Sequence, residues 1–460
     1  MKNCILVLLT FLLFSCSESS SVPKDNQEEV ITPPANFPYI FGKVPVGGKQ
    51  VYVPKELNDN NFDSKSSKWC YQRSAASDNI IVFWEEGFGA NPAIAEKESM
   101  RINIEELLTK AEKFYVYYRD EMKFVNKGNS NTDKYRMIIM LIYQNEWLAT
   151  GSGYDDVIGA LWVNPSTTTN ELSHVIAHEF GHTFQYQVKC DGSYGFRDQN
   201  YVGTFWEQCA QYMSWQLYPD DKIKDLPFFL KNTYKNFSHE DIRYESIYLM
   251  EYWKQKHGKE FLGKLWKEAI NPEHPLQAYK RITNSTQEQL NDEIFEYACK
   301  NITWDYPLGK HNTNFINSLP KSQQEEYRHK TKLIPSTDNY YAISADQILQ
   351  SYGYNAIELE APKVGTTVSI AFEGIDNKWK SIAGWRFGFV AVKADSKVIY
   401  GEMKRDSKGT VSFTAADDLK ELWLVVTGAP TEHTNHIWDE KTDNDENFSY
   451  KIKLTNTSLK

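Results

Sequence analysis

Two histidines four residues apart, on a helix that is apolar on several sides, fix the point around which this chain has to fold. The run is ELSHVIAHEFGHTFQYQ, with His178-Glu179-Phe180-Gly181-His182 at its centre. On an α-helix, positions four apart are separated by about 40° and about 6 Å of rise, so both imidazoles can meet one ion. Glu179 then reaches a water held on that ion. A metal with two His nitrogens and one further protein ligand keeps a fourth position for water and lowers its pKa toward neutrality. Glu179 is the expected general base, passing the proton on to a leaving amine. Val175, Ile176, Phe180, Phe184 and Tyr186 surround the motif, the pattern of a buried helix rather than a solvated one.

The third ligand decides the type of site. A metzincin needs Gly three and His six positions after the second histidine, where this chain has Gln185 and Val188, so that type is excluded. Downstream, TFWEQCAQY offers Glu207 among Phe205, Trp206, Cys209 and Ala210, and a carboxylate in such company is costly unless it is paired or binds a metal. The Gly-, Asp- and Asn-rich stretch between the two helices lets the chain turn back. Metal ligands are therefore expected at His178, His182 and Glu207. His174, one turn earlier, is expected to be an ordinary helix-start histidine. Tyr244 and Tyr248 are candidates for donating to an oxyanion, with aromatic core packing as the alternative. The strand Gly159-Ala160-Leu161-Trp162-Val163 is a candidate sheet edge for holding an extended peptide by strand addition, unless it is interior.

The stretches SDNIIVFWEEGFG, TGSGYDDVIGALWVNP, HVIAHEFGHTFQYQ, TFWEQCAQYMSWQ, WRFGFVAV and LWLVVTGAPTEH carry a resemblance. The chain resembles the gluzincin-type zinc metallopeptidases, and more closely an uncharacterised family of Bacteroidetes lipoproteins, from about Lys68 onward. The resemblance implies a peptidase-like fold with His178, His182 and Glu207 on one catalytic Zn²⁺ and Glu179 catalytic. It supplies no substrate.

The N-terminus, a Lys, an apolar run and then LFSC, reads as an export signal over 1–16 whose Cys16 is the lipidated first residue of a lipoprotein anchored to the bacterial (outer) membrane, on its periplasmic or cell-surface face, with an ordinary signal peptide cut elsewhere as the alternative. Residues 17–65 read as a flexible tether, to about Pro38, with an N-terminal extension. Cys70, Cys190, Cys209 and Cys299 then leave room for up to two disulfides in an oxidising compartment. With 61 acidic and 51 basic side chains and a net charge of −10, the chain is not a nucleic-acid binder.

Strand-like runs at 79–85, 135–143 and 158–163, an amphipathic helix over 102–124 and a mostly helical stretch from Glu171 to about Lys300 suit a twisted sheet packed on helices. The expected fold is an α+β zincin-like catalytic domain over 66–332, with the sheet over the active-site helix and a helical subdomain after it. Seven short strand-like segments after residue 333 read as an all-β, jelly-roll-like sandwich over 333–460. Within it, His433, His436 and Asp439 read as residues of a polar loop. The acids Asp439, Glu440, Asp443, Asp445 and Glu446 offer oxygens of the kind Ca²⁺ takes, though not in EF-hand order.

The expected activity is a zinc metalloendopeptidase acting on extracellular proteins or glycoproteins. The alternative is a catalytically inactive surface lipoprotein that binds glycans or glycoproteins through the sandwich.

Overall fold

A computed structural model describes residues 38–169, 173–196, 203–439 and 441–460. The expected export signal, Cys16 and most of the tether lie outside the described residues.

The first sheet takes six strands, β1 (Ile40–Phe41), β2 (Ser74–Ala76), β3 (Ile80–Trp84), β4 (Met137–Leu141), β5 (Ala149–Tyr154) and β6 (Ile158–Val163), in the order β1-β2-β3-β4-β6-β5. β3, β4 and β6 run parallel, while β5 closes the sheet antiparallel to β6. IIVFW and MIIML are buried at every position rather than alternating, as strands covered on both faces must be. Part of the cover comes from α1 (Ile104–Val116), which lies on β3. More comes from the N-terminal extension, whose Phe62 packs on Phe83 and Phe41 on Trp84 at ring distances of 5.3 and 5.4 Å. Residues 38–65 are thus part of the folded unit.

After the short α2 (Asn131–Lys134) come α3 (Ser173–Cys190), which lies against β5, β6 and α1, and α4 (Gly203–Leu217), which packs on α3. The chain continues through α5 (Leu226–Lys231), α6 (Tyr248–His257), α7 (Phe261–Lys267), α8 (Pro275–Thr283) and α9 (Gln287–Asn301).

Beyond the helices lie two antiparallel sheets. One contains β7 (Leu333–Pro335), β8 (Tyr341–Ile343), β10 (Thr367–Gly374), β13 (Lys408–Thr414) and β15 (Tyr450–Thr455); the other contains β9 (Tyr354–Leu359), β11 (Trp385–Lys393), β12 (Val398–Tyr400) and β14 (Leu419–Gly428). In β14, Leu422, Leu424 and Val426 face the core between the two sheets, while Trp423 and Val425 join the core of the helical region. That two-residue alternation between two apolar environments explains why LWLVV has no polar member. α9 packs on this outer face, where Arg386 of β11 donates to Asp292 Oδ1 (2.8 Å) and Glu288 Oε2 (2.5 Å). The two regions therefore share a continuous core, and cutting at residue 333 would expose it.

The expected disulfides are not formed. Cys70, Cys190, Cys209 and Cys299 are free thiols, the last three each in a different helix, α3, α4 and α9; Cys209, for example, accepts a hydrogen bond from Trp266 Nε1 at 3.1 Å. Among the described residues no helix is long and apolar enough to cross a membrane.

Candidate active site

Gly181 sits where α3 crosses α4. A Cβ there would lie 3.3 Å from Ala210 Cα and from Met213 Sδ, so the missing side chain sets the closeness of the crossing. The close crossing carries Glu207 over the turn bearing both histidines. Glu207 Oε2 is 3.2 Å from His178 Nε2 and 3.4 Å from His182 Nε2, and the two rings stand 4.6 Å apart and nearly perpendicular. Two ligand atoms on a tetrahedral zinc, with bonds of about 2.0–2.1 Å, lie about 3.3–3.4 Å apart. Glu207 Oε2 thus stands from each histidine nitrogen as two ligands of one such ion stand from each other.

Hydrogen bonding also leaves a place for a cation. Gln185 Nε2 donates to the Trp206 carbonyl at 2.9 Å, which orients its amide and turns Oε1 toward His182 Nδ1 at 2.6 Å. His182 must therefore carry a hydrogen on Nδ1, so the bare Nε2 of its neutral form points at a carboxylate. Two acceptors facing each other need a proton or a metal ion between them. Trp206 stacks on the His182 ring at 4.9 Å and 9°, locking its orientation. His178 Nδ1 is buried and has no hydrogen-bond partner among the described residues.

Charge is distributed in the same sense. Burial, reinforced by His182, lowers the His178 pKa to about 4, so it is neutral and its lone pair is available near pH 7. Burial alone would lower His182 and raise Glu207; instead, the contact between them outweighs it, raising His182 and holding Glu207 well below the usual carboxylate range. Burial raises Glu179 to about 7, partly offset by His182 and by the Gly151 N–H, which donates to Oε2 at 2.7 Å. With Oε2 held, Oε1 is left to take a proton.

That hydrogen bond exists because α3 lies almost in contact with β5. A Cβ on Gly151 would fall 1.9 Å from the Glu179 carbonyl oxygen and 2.8 Å from His182 Cβ, so only glycine fits. Between β5 and the helices runs a cleft of about 540 Å³, with residues 149–152 along one side and Tyr194, Phe196, Trp206 and Trp266 along the other. Tyr244 also lines it, its ring 6.3 Å from that of His178.

The structure thus brings His178, Glu179, His182, Glu207 and Tyr244 together and leaves other candidates out. Tyr248 is buried against Trp215, Phe229 and Trp304, a core residue. His174 faces Asp221 (3.5 Å) and does not line the cleft. Residues 159–163 belong to β6, an interior strand; the sheet edge is β5. Gly151, Gln185 and β5 itself are absent from the sequence-based expectation. The paired glycines of TGSGY are the available signal, since they stand where a strand is pressed against a helix.

A family model described as a family of unknown function, DUF6055, matches residues 43–460. No curated protein matches the chain. Among solved structures, the C-terminal family 22 carbohydrate-binding module of Clostridium thermocellum Xyn10B is similar at 10% identity over 29% of this chain and 83% of the module, with a TM-score of 0.19. At that score the likeness carries no argument.

Proposed function

For this chain, which belongs to the DUF6055 family, we propose a zinc-dependent metalloendopeptidase of gluzincin type, acting on extracellular proteins or glycoproteins. The observation that carries the reading is the convergence of His178 Nε2, His182 Nε2 and Glu207 Oε2 beside Glu179, on the floor of a cleft walled by an edge strand. An antiparallel edge strand beside the motif helix also favours a zincin-like catalytic domain. The N-terminal sequence supports export and attachment to a membrane through a lipid on Cys16.

Zinc, when held by His178, His182 and Glu207, supplies a Lewis acid that polarises the scissile carbonyl and makes the attacking water more acidic. The chain's own residues do the rest. The free edge of β5 at 149–152 pairs with an extended peptide backbone, laying the scissile bond along the cleft. Glu179 Oε1 takes a proton from the water as its oxygen adds to the carbonyl carbon. The same oxygen returns that proton to the amide nitrogen as the C–N bond breaks. A pKa that burial raises to about 7 suits a group that must both accept and release a proton near neutral pH. Tyr244 O–H donates to the developing oxyanion. The aromatic wall of Tyr194, Trp206 and Trp266 receives an apolar or aromatic substrate side chain.

The test is Glu179→Gln, which preserves shape and the Gly151 contact but cannot hold the proton. Hydrolysis of casein or of a mucin-type glycoprotein is expected to fall about 10²–10⁴-fold, with bound zinc unchanged. Retained hydrolysis would reject the mechanism. A zinc-loaded parent chain that cleaves neither protein but binds the glycoprotein would move the function to recognition by the β-sheet region.

A further inference from the structure

A second histidine–carboxylate cluster shares no residue with the cleft and lies where the helical region meets the two antiparallel sheets; Arg243, over Tyr244 on one side and Trp438 on the other, stands between the two. Four of its members, His239, Glu240, His436 and Glu446, are more than nine-tenths buried, and Asp445 closes it at the solvent edge. Two come from the short turn before α6 and three from the segment before β15, so the cluster ties together distant parts of the chain.

Its hydrogen bonding centres on His436. His436 Nδ1 lies 3.2 Å from Glu446 Oε2, and a carboxylate only accepts, so the ring hydrogen sits on Nδ1. Glu446 is itself fixed by Asn236 Nδ2, which donates to Oε1 at 2.9 Å. In the neutral form of the ring the other nitrogen, Nε2, is bare, whereas in the protonated form, which the surrounding carboxylates favour, it carries a second hydrogen. It is buried, has no hydrogen-bond partner among the described residues, and faces Glu240 Oε2 at 3.3 Å and Asp445 Oδ1 at 4.0 Å. Asp445 is held in that pose from behind, because Gln350 Nε2 donates to its Oδ2 at 2.9 Å. His239 Nδ1 accepts the Asp241 N–H at 3.1 Å, so its Nε2 carries the hydrogen and directs it at the same Oδ2, 3.5 Å away. Its ring stacks on His436 at 4.8 Å.

An imidazole nitrogen aimed at two carboxylate oxygens needs a proton or a metal ion between them, as in the cleft. The geometry points to a second, structural zinc-class site with His436 Nε2, Glu240 Oε2 and Asp445 Oδ1 as ligands. The 3.3 Å separation of His436 Nε2 from Glu240 Oε2 is that of two ligands on one tetrahedral ion, and Asp445 Oδ1, now 4.0 Å from Nε2, would close in by about 0.6 Å to join them. The Glu446–His436 pair reproduces the carboxylate–histidine–metal arrangement that orients ligating histidines. A nitrogen donor selects a zinc-class cation over Ca²⁺, which takes oxygen alone. The acidic run, read from the sequence as a solvated loop by default and as able to hold Ca²⁺, divides between two environments. Asp445 and Glu446 turn inward to histidines, whereas Asp439 caps its own turn through the Lys441 N–H at 3.0 Å. His433 stays outside, bonded to Tyr352 Oη (2.9 Å) and Asn435 (3.0 Å).

The experiment is zinc stoichiometry by elemental mass spectrometry on the full chain purified with zinc supplied, compared with Glu207→Ala, His436→Phe and the double variant. Two zinc ions per parent chain are expected, one in each single variant and none in the double. One zinc in the parent, lost in Glu207→Ala and kept in His436→Phe, would overturn the junction site and leave the cleft reading standing. One zinc lost only in His436→Phe would support the junction site and reject the cleft as a zinc site. No zinc in the parent would overturn both. Should His436→Phe fail to fold, Glu446→Gln keeps every ligand and is expected to weaken one of the two sites about 10–100-fold in competition with a chromophoric chelator. Unchanged affinity at both sites would overturn the assignment.

Discussion

The cleft and the domain junction each bring histidines and carboxylates together, yet they are finished differently. In the cleft, two histidines and Glu207 form a partial ligand shell that opens onto about 540 Å³ of space, and a fourth charged group, Glu179, stands beside it with one oxygen uncommitted. At the junction two of the carboxylates are tied to further partners: Glu446 to Asn236 and His436, and Asp445 to Gln350 and His239. An open shell with a spare base suits chemistry on an exchangeable water, whereas a closed one suits a staple between regions.

The sharpest way to break this comparison is Gly151→Ala. The new Cβ would meet the Glu179 carbonyl oxygen at 1.9 Å, so β5 and α3 must separate. A displacement of about 1 Å at reacting groups costs about 10²-fold, and overpacking of this kind costs about 1–3 kcal/mol. The expected result is at least that loss of hydrolysis with a lowered melting temperature, while the junction keeps its zinc. Loss of both ions would mean that the two sites are not independent. Tyr244→Phe should do less, lowering kcat by about 10²-fold with KM little changed, if its hydroxyl acts only on the oxyanion. An equal rise in KM would make Tyr244 a substrate-binding residue instead.

Gln185→Leu sharpens the comparison from the ligand side. Gln185 orients His182 through Nδ1 just as Glu446 orients His436, but it does so with a neutral amide. Its removal is expected to weaken cleft zinc about 10–100-fold in chelator competition and leave the junction untouched. The carboxylate at the junction polarises its histidine more strongly, so of the two positions Gln185 should show the smaller effect.

How much of this was legible in the sequence follows from how far apart the partners lie along the chain. The His178/His182 pair was readable because helical geometry alone makes positions four apart share a face, and Glu207 because a carboxylate among Phe205, Trp206 and Cys209 needs a reason to be there. The strands after residue 354 were readable from their apolar runs. β5 was not, because ATGSGY has glycines where a strand signal needs branched or aromatic side chains, and those glycines are there for the contact with α3. The junction was hidden for another reason. His239-Glu240 and His436 with Asp445-Glu446 have no ligand spacing of their own, and only the packing of the sheets on α9 and its neighbours brings them together.

The smallest expected effect tests whether spacing or surroundings selects a ligand. His174, His178 and His182 stand four apart in succession, so the first pair has the same local geometry as the second. Eight positions span about 12 Å of rise, however, so one ion cannot serve all three. What separates them is the neighbour that each pair meets. Glu207 reaches His178 and His182, whereas His174 meets Asp221, outside the cleft. His174→Ala should therefore leave zinc content and hydrolysis at parental values and change stability by about 0.5 kcal/mol or less. Loss of zinc in that variant would show that the ion sits one turn earlier, between His174 and His178, and would transfer the catalytic geometry away from Glu207.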